Sequence, residues 1–132
     1  MPQFSMDWIG DLRFKSGEGE SPVELHSSTT GMLSPMQALA YAQIACMAMD
    51  VVHVLTKGRH DLRKMRVLFD GERAPEHPRR YVSITLHFDI TGDIEARVVE
   101  RAIELSRTTY CSVSNSLRED IDFRTSFEIR QA

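Results

Sequence analysis

The stretch from Ser34 to Gly58 reads SPMQALAYAQIACMAMDVVHVLTKG and decides most of what the sequence predicts. Ser34 can accept hydrogen bonds from the free amides of a first helical turn, and Pro35 suits the first helical position. Gly58 is a typical residue after a helix end. The stretch therefore predicts one helix running to about Lys57. Because nearly its whole circumference is apolar or small, we expect this helix to be buried.

The polar side chains of this helix fall on one narrow arc. Gln43, Cys46, Asp50 and His53 follow one another at spacings of three, four and three residues, which places them on the same helical face. We interpret the arc formed by Gln43, Asp50 and His53 as a polar seam at a dimer interface or as a buried ion pair, in preference to a catalytic relay.

The flanking segments predict strands and a second helix. A hairpin is expected from the apolar residues of 8–14 and 23–26, around the turn-forming residues of 16–20. Further along, the pattern predicts strands over 61–72 and 81–90, a helix capped by Asp93 and ending near Leu117, and a closing strand over 123–129. Strands in hairpins with segregated helices indicate an α+β fold. The length of 132 residues indicates a single domain over 1–132.

Charge and composition exclude some partners. Lys and Arg total 16 and Asp and Glu total 19, so the formal charge is −3, and the two signs are interleaved. Nucleic acid is disfavoured as a partner, because phosphate binding needs concentrated basic residues. The N-terminal residues do not resemble a signal peptide, and the mainly apolar stretch 36–49 is too short to span a bilayer. We expect a cytoplasmic protein that has no membrane partner.

The chain has two cysteines, Cys46 in the first predicted helix and Cys111 in the second. In a reducing compartment such residues are more often reduced, buried or catalytic than a permanent staple. One thiol on each of two helices is what a peroxidatic and resolving pair would look like, whereas the plainer alternative is two small buried helix residues. A metal site of Cys46, Cys111 and His53 is disfavoured, because the short ligand spacing of zinc sites is missing. No motif implies a metal, flavin or haem cofactor.

Five phrases occur in an order that is familiar from one family. They are Ser34-Pro35-Met36, the run from Cys46 to Val52, Gly71-Glu72-Arg73-Ala74 with His77-Pro78, the run from Val99 to Ser106, and Tyr110-Cys111-Ser112-Val113-Ser114. Together they resemble the OsmC/Ohr family of thiol-dependent peroxidases, and the resemblance covers essentially the whole domain.

The resemblance implies an intertwined homodimer in which antiparallel sheets wrap around two central helices, with active sites at the subunit interface. It also implies that Cys46 attacks an organic hydroperoxide and becomes a sulfenic acid, after which Cys111 condenses with it to a disulfide. An external dithiol, typically a lipoyl-bearing protein, would reduce that disulfide. The apolar helix around the thiol favours alkyl or lipid-like hydroperoxides over hydrogen peroxide.

The sequence departs from the family pattern at the supporting residues. Relatives commonly carry a glutamate directly after the Pro-Met pair, where it orients an arginine onto the thiolate. This chain has Gln37, which keeps the hydrogen-bonding reach and loses the charge. The arginine itself is sought among Arg13, Arg73, Arg79 and Arg80, of which Arg73 is our supporting candidate with Gln37. The plainer alternatives are a first-turn residue bonded to a loop for Gln37 and a strand-end salt bridge for Arg73. The alternative function is a catalytically weakened dimer that binds a small molecule or serves a structural purpose.

Overall fold

The structure is a computed structural model that describes residues 3–27 and 29–132. Its elements, in chain order, are β1 Met6–Trp8, β2 Arg13–Ser16, β3 Glu24–His26, α1 Pro35–Lys57, β4 Asp61–Arg73, β5 Tyr81–Asp93, α2 Ala96–Leu105, a π-helical turn Ser106–Tyr110, α3 Ser112–Ser116 and β6 Asp122–Arg130. The predicted α+β class is confirmed. The chain divides into a first unit that ends at Tyr41 and a second unit that begins at Ala42. The expectation of one domain over 1–132 stays a prediction.

The first unit carries a three-stranded antiparallel sheet in the order β1-β2-β3. The prediction of one strand from Trp8 to Phe14 is wrong, because a turn divides this segment. Gly10 has a φ of 106° and Asp11 a φ of 47°, and both values lie in the left-handed region that ends a strand. The chain reverses there, so that Trp8 pairs with Phe14.

The second unit is built on a sheet in the order β4-β5-β6. Its central strand β5 shows the predicted alternation, and every second residue from Ile84 to Ile90 is buried. Strand β6 runs parallel to β5, because the chain crosses over through α2 and α3 before it rejoins the sheet. The expectation of antiparallel sheets is therefore wrong for this pair of strands. The buried apolar core consists of Met47, Val51, Leu55, Ile84, Leu86, Phe88, Ile90, Ile94, Val99, Ala102, Ile103 and Cys111.

Helix α1 has the predicted bounds, but the expectation that it is buried all round is wrong for the single chain. Its buried residues form one stripe at a spacing of four: Gln43, Met47, Val51 and Leu55. Met49 is 68% exposed and Val52 37%. By length and composition α1 could cross a membrane, a criterion that core helices of soluble proteins also meet. Of its most apolar 18-residue stretch, 22% is buried within the chain. An apolar helix face is therefore left uncovered in the isolated chain.

The second predicted helix is shorter than expected and interrupted. Its N-cap is Glu95 rather than Asp93, which ends β5. Helix α2 ends at Leu105, and a π-helical turn follows before the backbone becomes extended at Cys111. The prediction of a single helix running to Leu117 is thus wrong, because a π-helical turn of five residues and the extended residue Cys111 interrupt it.

Candidate active site

Cys46 and Cys111 come together, although 65 residues separate them in sequence. Their Sγ atoms lie within 4.8 Å of each other, and a carboxylate oxygen of Asp50 lies within that distance of both. Both cysteines are free thiols. A disulfide needs an S–S separation of about 2.05 Å, so the pair could close only after the two sulfurs move closer. The arrangement is that of a dithiol with a carboxylate beside it.

Helix α1 presents its polar arc to the segment that carries Cys111. The Gln43 side chain is buried and donates from Nε2 to Ser114 Oγ over 3.2 Å. One helical turn beyond Cys46, Asp50 Oδ2 accepts a hydrogen bond of 2.8 Å from Ser106 Oγ. The predicted seam of Gln43 and Asp50 is therefore satisfied by hydrogen bonds within one chain, and these bonds bracket Cys46.

His53, the last residue of the predicted arc, lines the two grooves beside α1 and lies outside the cluster of Cys46, Asp50 and Cys111. Among the residues that the structure describes, the potential metal ligands are thus this cluster, and not the set of two cysteines with His53 that the sequence analysis weighed and disfavoured.

Cys111 sits where the helix is broken. Its backbone is extended, with φ −73° and ψ 101°, and its N–H donates to the Ser106 carbonyl over 2.7 Å. Its Sγ accepts a hydrogen bond of 3.3 Å from the backbone N–H of Ser114, so Cys111 is the N-cap of α3. Asn115 Nδ2 donates to the carbonyls of Arg107 and Cys111, over 3.1 and 2.8 Å. Hydrogen bonds thus fix both the sulfur of Cys111 and the backbone on either side of it.

The two thiols differ in their surroundings. Cys46 is half-buried, whereas Cys111 is 0% exposed. Burial raises the pKa of the Cys111 thiol above its ordinary value, the hydrogen bonds from Ser114 oppose this, and the neighbouring Cys46 raises it further. Cys111 is consequently a neutral thiol at neutral pH. Of the two thiols, Cys46 is therefore the one that is partly exposed to solvent.

Gln37 forms a capping box at the start of α1. Its Oε1 accepts from the Ser34 N–H over 3.0 Å, and its own N–H donates to Ser34 Oγ over 3.2 Å. This is the reciprocal pattern of a serine at the N-cap and a glutamine three residues later. The exposed Gln37 side chain thus has a local structural partner, as the plainer interpretation expected.

Three of the four candidate arginines donate to backbone carbonyls, and Arg80 also lies 3.7 Å from a carboxylate oxygen of Asp120. Arg73 Nε donates to the Arg79 carbonyl over 2.8 Å, within the loop that joins β4 to β5. Arg13 donates to the carbonyls of the turn at residues 9 and 10, and Arg80 donates to the Tyr81 carbonyl. The salt bridge expected for Arg73 is replaced by this loop contact among the described residues.

Two open grooves flank α1. One of about 580 Å³ includes Ala45 and Met49, the neighbours of Cys46 in sequence and along the helix; it is lined by Ile44, Ala45, Ala48, Met49, Val52, His53, Thr56, Met65 and Val67. The other, of about 650 Å³, reaches Asp50 and is lined by Asp50, His53, Val54, Lys57, Gly58, Leu105 and Tyr110. Seven of the nine residues that line the first groove are apolar, and the second groove carries charge.

Sequence reasoning missed Ser106, Ser114 and Asn115 as parts of the site. Ser106 and Ser114 fell on the predicted apolar stripe as small residues, although their hydroxyls are the partners of Asp50 and Gln43. A usable signal was the spacing of Cys111 and Ser114, since an N-cap side chain accepts from the residue three positions later. A second signal was that Gln43 and Asp50 on α1 needed hydrogen-bond partners, which the hydroxyls of Ser114 and Ser106 could supply.

A model of the family described as OsmC-like protein matches residues 27–126. The chain belongs to the OsmC-like family. Among its curated relatives, protein YhfA of Escherichia coli (strain K12) is 35% identical over 130 residues, which is 96% of this chain and 97% of that protein. The family resemblance found in the sequence is thereby confirmed.

Solved structures share the fold of this OsmC-like chain. A hypothetical protein from Aquifex aeolicus VF5 superposes with a TM-score of 0.91 at 23% identity, over 100% of this chain and 98% of that one. An organic hydroperoxide resistance protein OsmC from Legionella pneumophila gives 0.74 at 18% identity, over 97% and 98%. These two likenesses show that the chain has the OsmC-like fold.

Proposed function

We propose that this protein reduces organic hydroperoxides, with Cys46 as the peroxidatic and Cys111 as the resolving cysteine. The observation that carries the proposal is the approach of a half-buried and a fully buried thiol to within 4.8 Å in an OsmC-like fold. A second thiol at that distance can trap a sulfenic acid before it is oxidised irreversibly. The unequal burial supports this assignment of roles, because the peroxide has to reach the first sulfur.

The reaction balances in two steps. The Cys46 thiolate attacks the terminal oxygen of the hydroperoxide, the O–O bond breaks, and the leaving alkoxide takes up a proton to become an alcohol. Cys46 is then a sulfenic acid. Cys111 attacks its sulfur and displaces hydroxide, which leaves as water with the proton of the Cys111 thiol. Two electrons have passed from the dithiol to the peroxide, and an external dithiol restores both thiols.

Asp50 supports the second step in this proposal. Cys111 is a neutral thiol, so it must lose its proton as it attacks. The Asp50 carboxylate lies within 4.8 Å of both sulfurs, and the Ser106 hydroxyl fixes its orientation. It can accept the proton from Cys111 and return it to the departing hydroxide. We assign no step to Gln37 or Arg73, whose hydrogen bonds lie in the α1 cap and the β4–β5 loop.

The groove beside Cys46 supports an apolar substrate. Methionine, valine and isoleucine side chains line it, and its volume of about 580 Å³ would admit an alkyl or aryl hydroperoxide. Burial of such a group is favoured by about 25 cal/mol for each Å² of apolar surface, and hydrogen peroxide gains none of this. We therefore propose a preference for organic over inorganic peroxide.

The assembly and surroundings belong to the same proposal. The uncovered apolar face of α1 fits a homodimer in which the helix is shared between subunits, with 1–132 as one domain. Free thiols fit the reducing cytoplasm. An external dithiol, such as a lipoyl group on a carrier protein, would be the electron donor.

Turnover with a defined dithiol tests the proposal. Consumption of cumene hydroperoxide and of hydrogen peroxide is followed with reduced lipoamide as donor, in wild type, Cys46→Ser and Cys111→Ser. Wild type should prefer cumene hydroperoxide, Cys46→Ser should be inactive, and Cys111→Ser should become over-oxidised within few turnovers. A wild-type rate no faster than that of an ordinary exposed thiol would overturn the proposed peroxidase activity. It would favour the alternative of a binding or structural dimer.

A further inference from the structure

The reduced site has the dimensions of a metal centre. Three donor atoms, Cys46 Sγ, Cys111 Sγ and a carboxylate oxygen of Asp50, all lie within 4.8 Å of one another. A zinc ion binds sulfur at about 2.3 Å and carboxylate oxygen at about 2.0–2.2 Å in a tetrahedral arrangement, so two of its ligands lie about 3.6–3.8 Å apart. Atoms within 4.8 Å of one another could therefore surround one ion after each moves by about half an ångström or less.

The donor set selects the class of ion. Two thiolates and one carboxylate suit borderline and soft divalent cations such as zinc, cobalt and cadmium, whereas calcium and magnesium prefer oxygen ligands. The two thiolates and the Asp50 carboxylate would carry three negative charges in a partly buried place. A divalent cation compensates most of that charge, which burial otherwise makes costly.

Neighbouring groups already orient two of the three ligands. Ser106 Oγ donates to Asp50 Oδ2 over 2.8 Å, which fixes the orientation of the carboxylate. The Ser114 N–H donates to Cys111 Sγ, a contact that stabilises a thiolate. Such outer hydrogen bonds commonly support metal ligands, and their loss weakens metal binding about 10- to 100-fold. Ser106 is 0% exposed, so this support is built into the fold.

Access comes from the charged groove that reaches Asp50. Because Cys46 and Asp50 are half-buried, a fourth position facing solvent could hold water, as three-ligand zinc sites do. The same position is where an exogenous thiol would meet the ion.

We propose that the reduced protein binds a thiophilic divalent cation of the zinc class through Cys46, Asp50 and Cys111. The inference needs only the two thiols and the carboxylate, and it does not rest on the proposed peroxidase activity. Metal binding and disulfide formation exclude each other, since both use the same two sulfurs. Occupancy by the ion would therefore withhold the dithiol from oxidants, and oxidation would release the ion.

Cobalt titration of the reduced, chelator-treated protein tests the site. We expect one cobalt ion per chain with thiolate-to-metal absorption, which zinc then displaces. Cys46→Ser and Cys111→Ser should lose this absorption, and Asp50→Asn should weaken cobalt binding about tenfold or more. Asp70→Asn changes an exposed aspartate on β4 and serves as the matched control with wild-type affinity. Protein oxidised to the disulfide should bind no cobalt.

A measurement on wild type alone guards against variants that do not fold. Zinc should slow alkylation of Cys46 by N-ethylmaleimide at least tenfold, and a chelator should restore the original rate. Absent absorption together with unprotected thiols would overturn the site, and equal affinities for Asp50→Asn and Asp70→Asn would overturn the three-ligand centre. Peroxidase assays are run in chelator, so a failure of the enzyme proposal and a failure of the metal site are read separately.

Discussion

At the scale of single residues, the environment of Cys111 controls the chemistry. The thiol is buried in the apolar core and accepts one backbone hydrogen bond. Burial dominates, and the pKa of this thiol is raised. The sequence predicted that the two cysteines matter, because no other residues of their kind compete with them. It could not predict their unequal burial, which arises from the break in the helix before Cys111.

The raised pKa of Cys111 predicts a pH-dependent stability. Above the pKa of an unfolded cysteine, about 8.5, the unfolded chain loses this proton while the folded chain keeps it. The folded state then binds more protons, so the free energy of unfolding falls as pH rises towards the folded pKa. Urea unfolding of the reduced protein in chelator, between pH 7 and 10, measures this. Cys111→Ser should have a shallower slope, and an unchanged slope would contradict the account.

The capping box predicts that Gln37 acts mainly on stability. Gln37→Ala should lower the free energy of unfolding by about 0.5–1 kcal/mol, since one exposed hydrogen bond is lost. Gln37→Glu should keep that bond and add about 0.3–1 kcal/mol from the helix dipole. Ser34→Ala is the matched control, because it removes the reciprocal bond. Urea unfolding and peroxide turnover are measured together, and a large gain in turnover for Gln37→Glu would instead assign this position to the active site.

At the scale of elements, local pattern predicted α1 and β5 well and the Cys111 segment poorly. Helix α1 has strong end signals in Ser34, Pro35 and Gly58, and β5 alternates without interruption. The segment after Leu105 keeps a helical pattern, but the structure replaces it by a π-turn and a new cap. Such a break is decided by tertiary packing, since Ser106 before it and Ser114 after it bond Asp50 and Gln43 of α1.

Asn115 should govern the geometry of the resolving thiol. Asn115→Ala removes two side-chain hydrogen bonds at the break and should cost about 1–2 kcal/mol of stability. Peroxide attack at Cys46 should stay within twofold of wild type, while disulfide formation becomes slower and over-oxidation increases. Ser116→Ala is the control, because Ser116 bonds only the local Ser112 carbonyl among the contacts described. Stopped-flow thiol consumption with mass analysis gives both rates, and equal disulfide rates in the two variants would refute this assignment.

At the scale of the whole molecule, the sequence predicted the α+β fold class and the family. It did not predict which strands pair when they are distant in sequence. Strand β6 joins β5 in parallel, which no local pattern encodes. The apolar circumference of α1 predicts a helix that is buried on all sides, yet within the chain only one stripe of this helix is buried. Exposed apolar patches commonly mark surfaces that bind a partner or a ligand.

A second copy of the chain is the partner we predict for that face. Met49 is 68% exposed on α1, and Met49→Asp would place a carboxylate in the apolar contact. The dissociation constant of the dimer should rise at least tenfold, about 1.4 kcal/mol, as measured by analytical ultracentrifugation. Leu68→Asp, on an exposed position of β4, should leave it unchanged. A wild-type protein that is monomeric at micromolar concentration would contradict the prediction.

The most direct test of the central claim is peptide mapping of the reduced protein after one equivalent of cumene hydroperoxide. The account predicts that a peptide containing Cys46 becomes linked to one containing Cys111, that the intact chain loses two hydrogen atoms, and that a dithiol reverses both changes. Cys46 recovered as sulfinic or sulfonic acid with Cys111 still a free thiol would contradict it, because the two sulfurs would then not act as a pair.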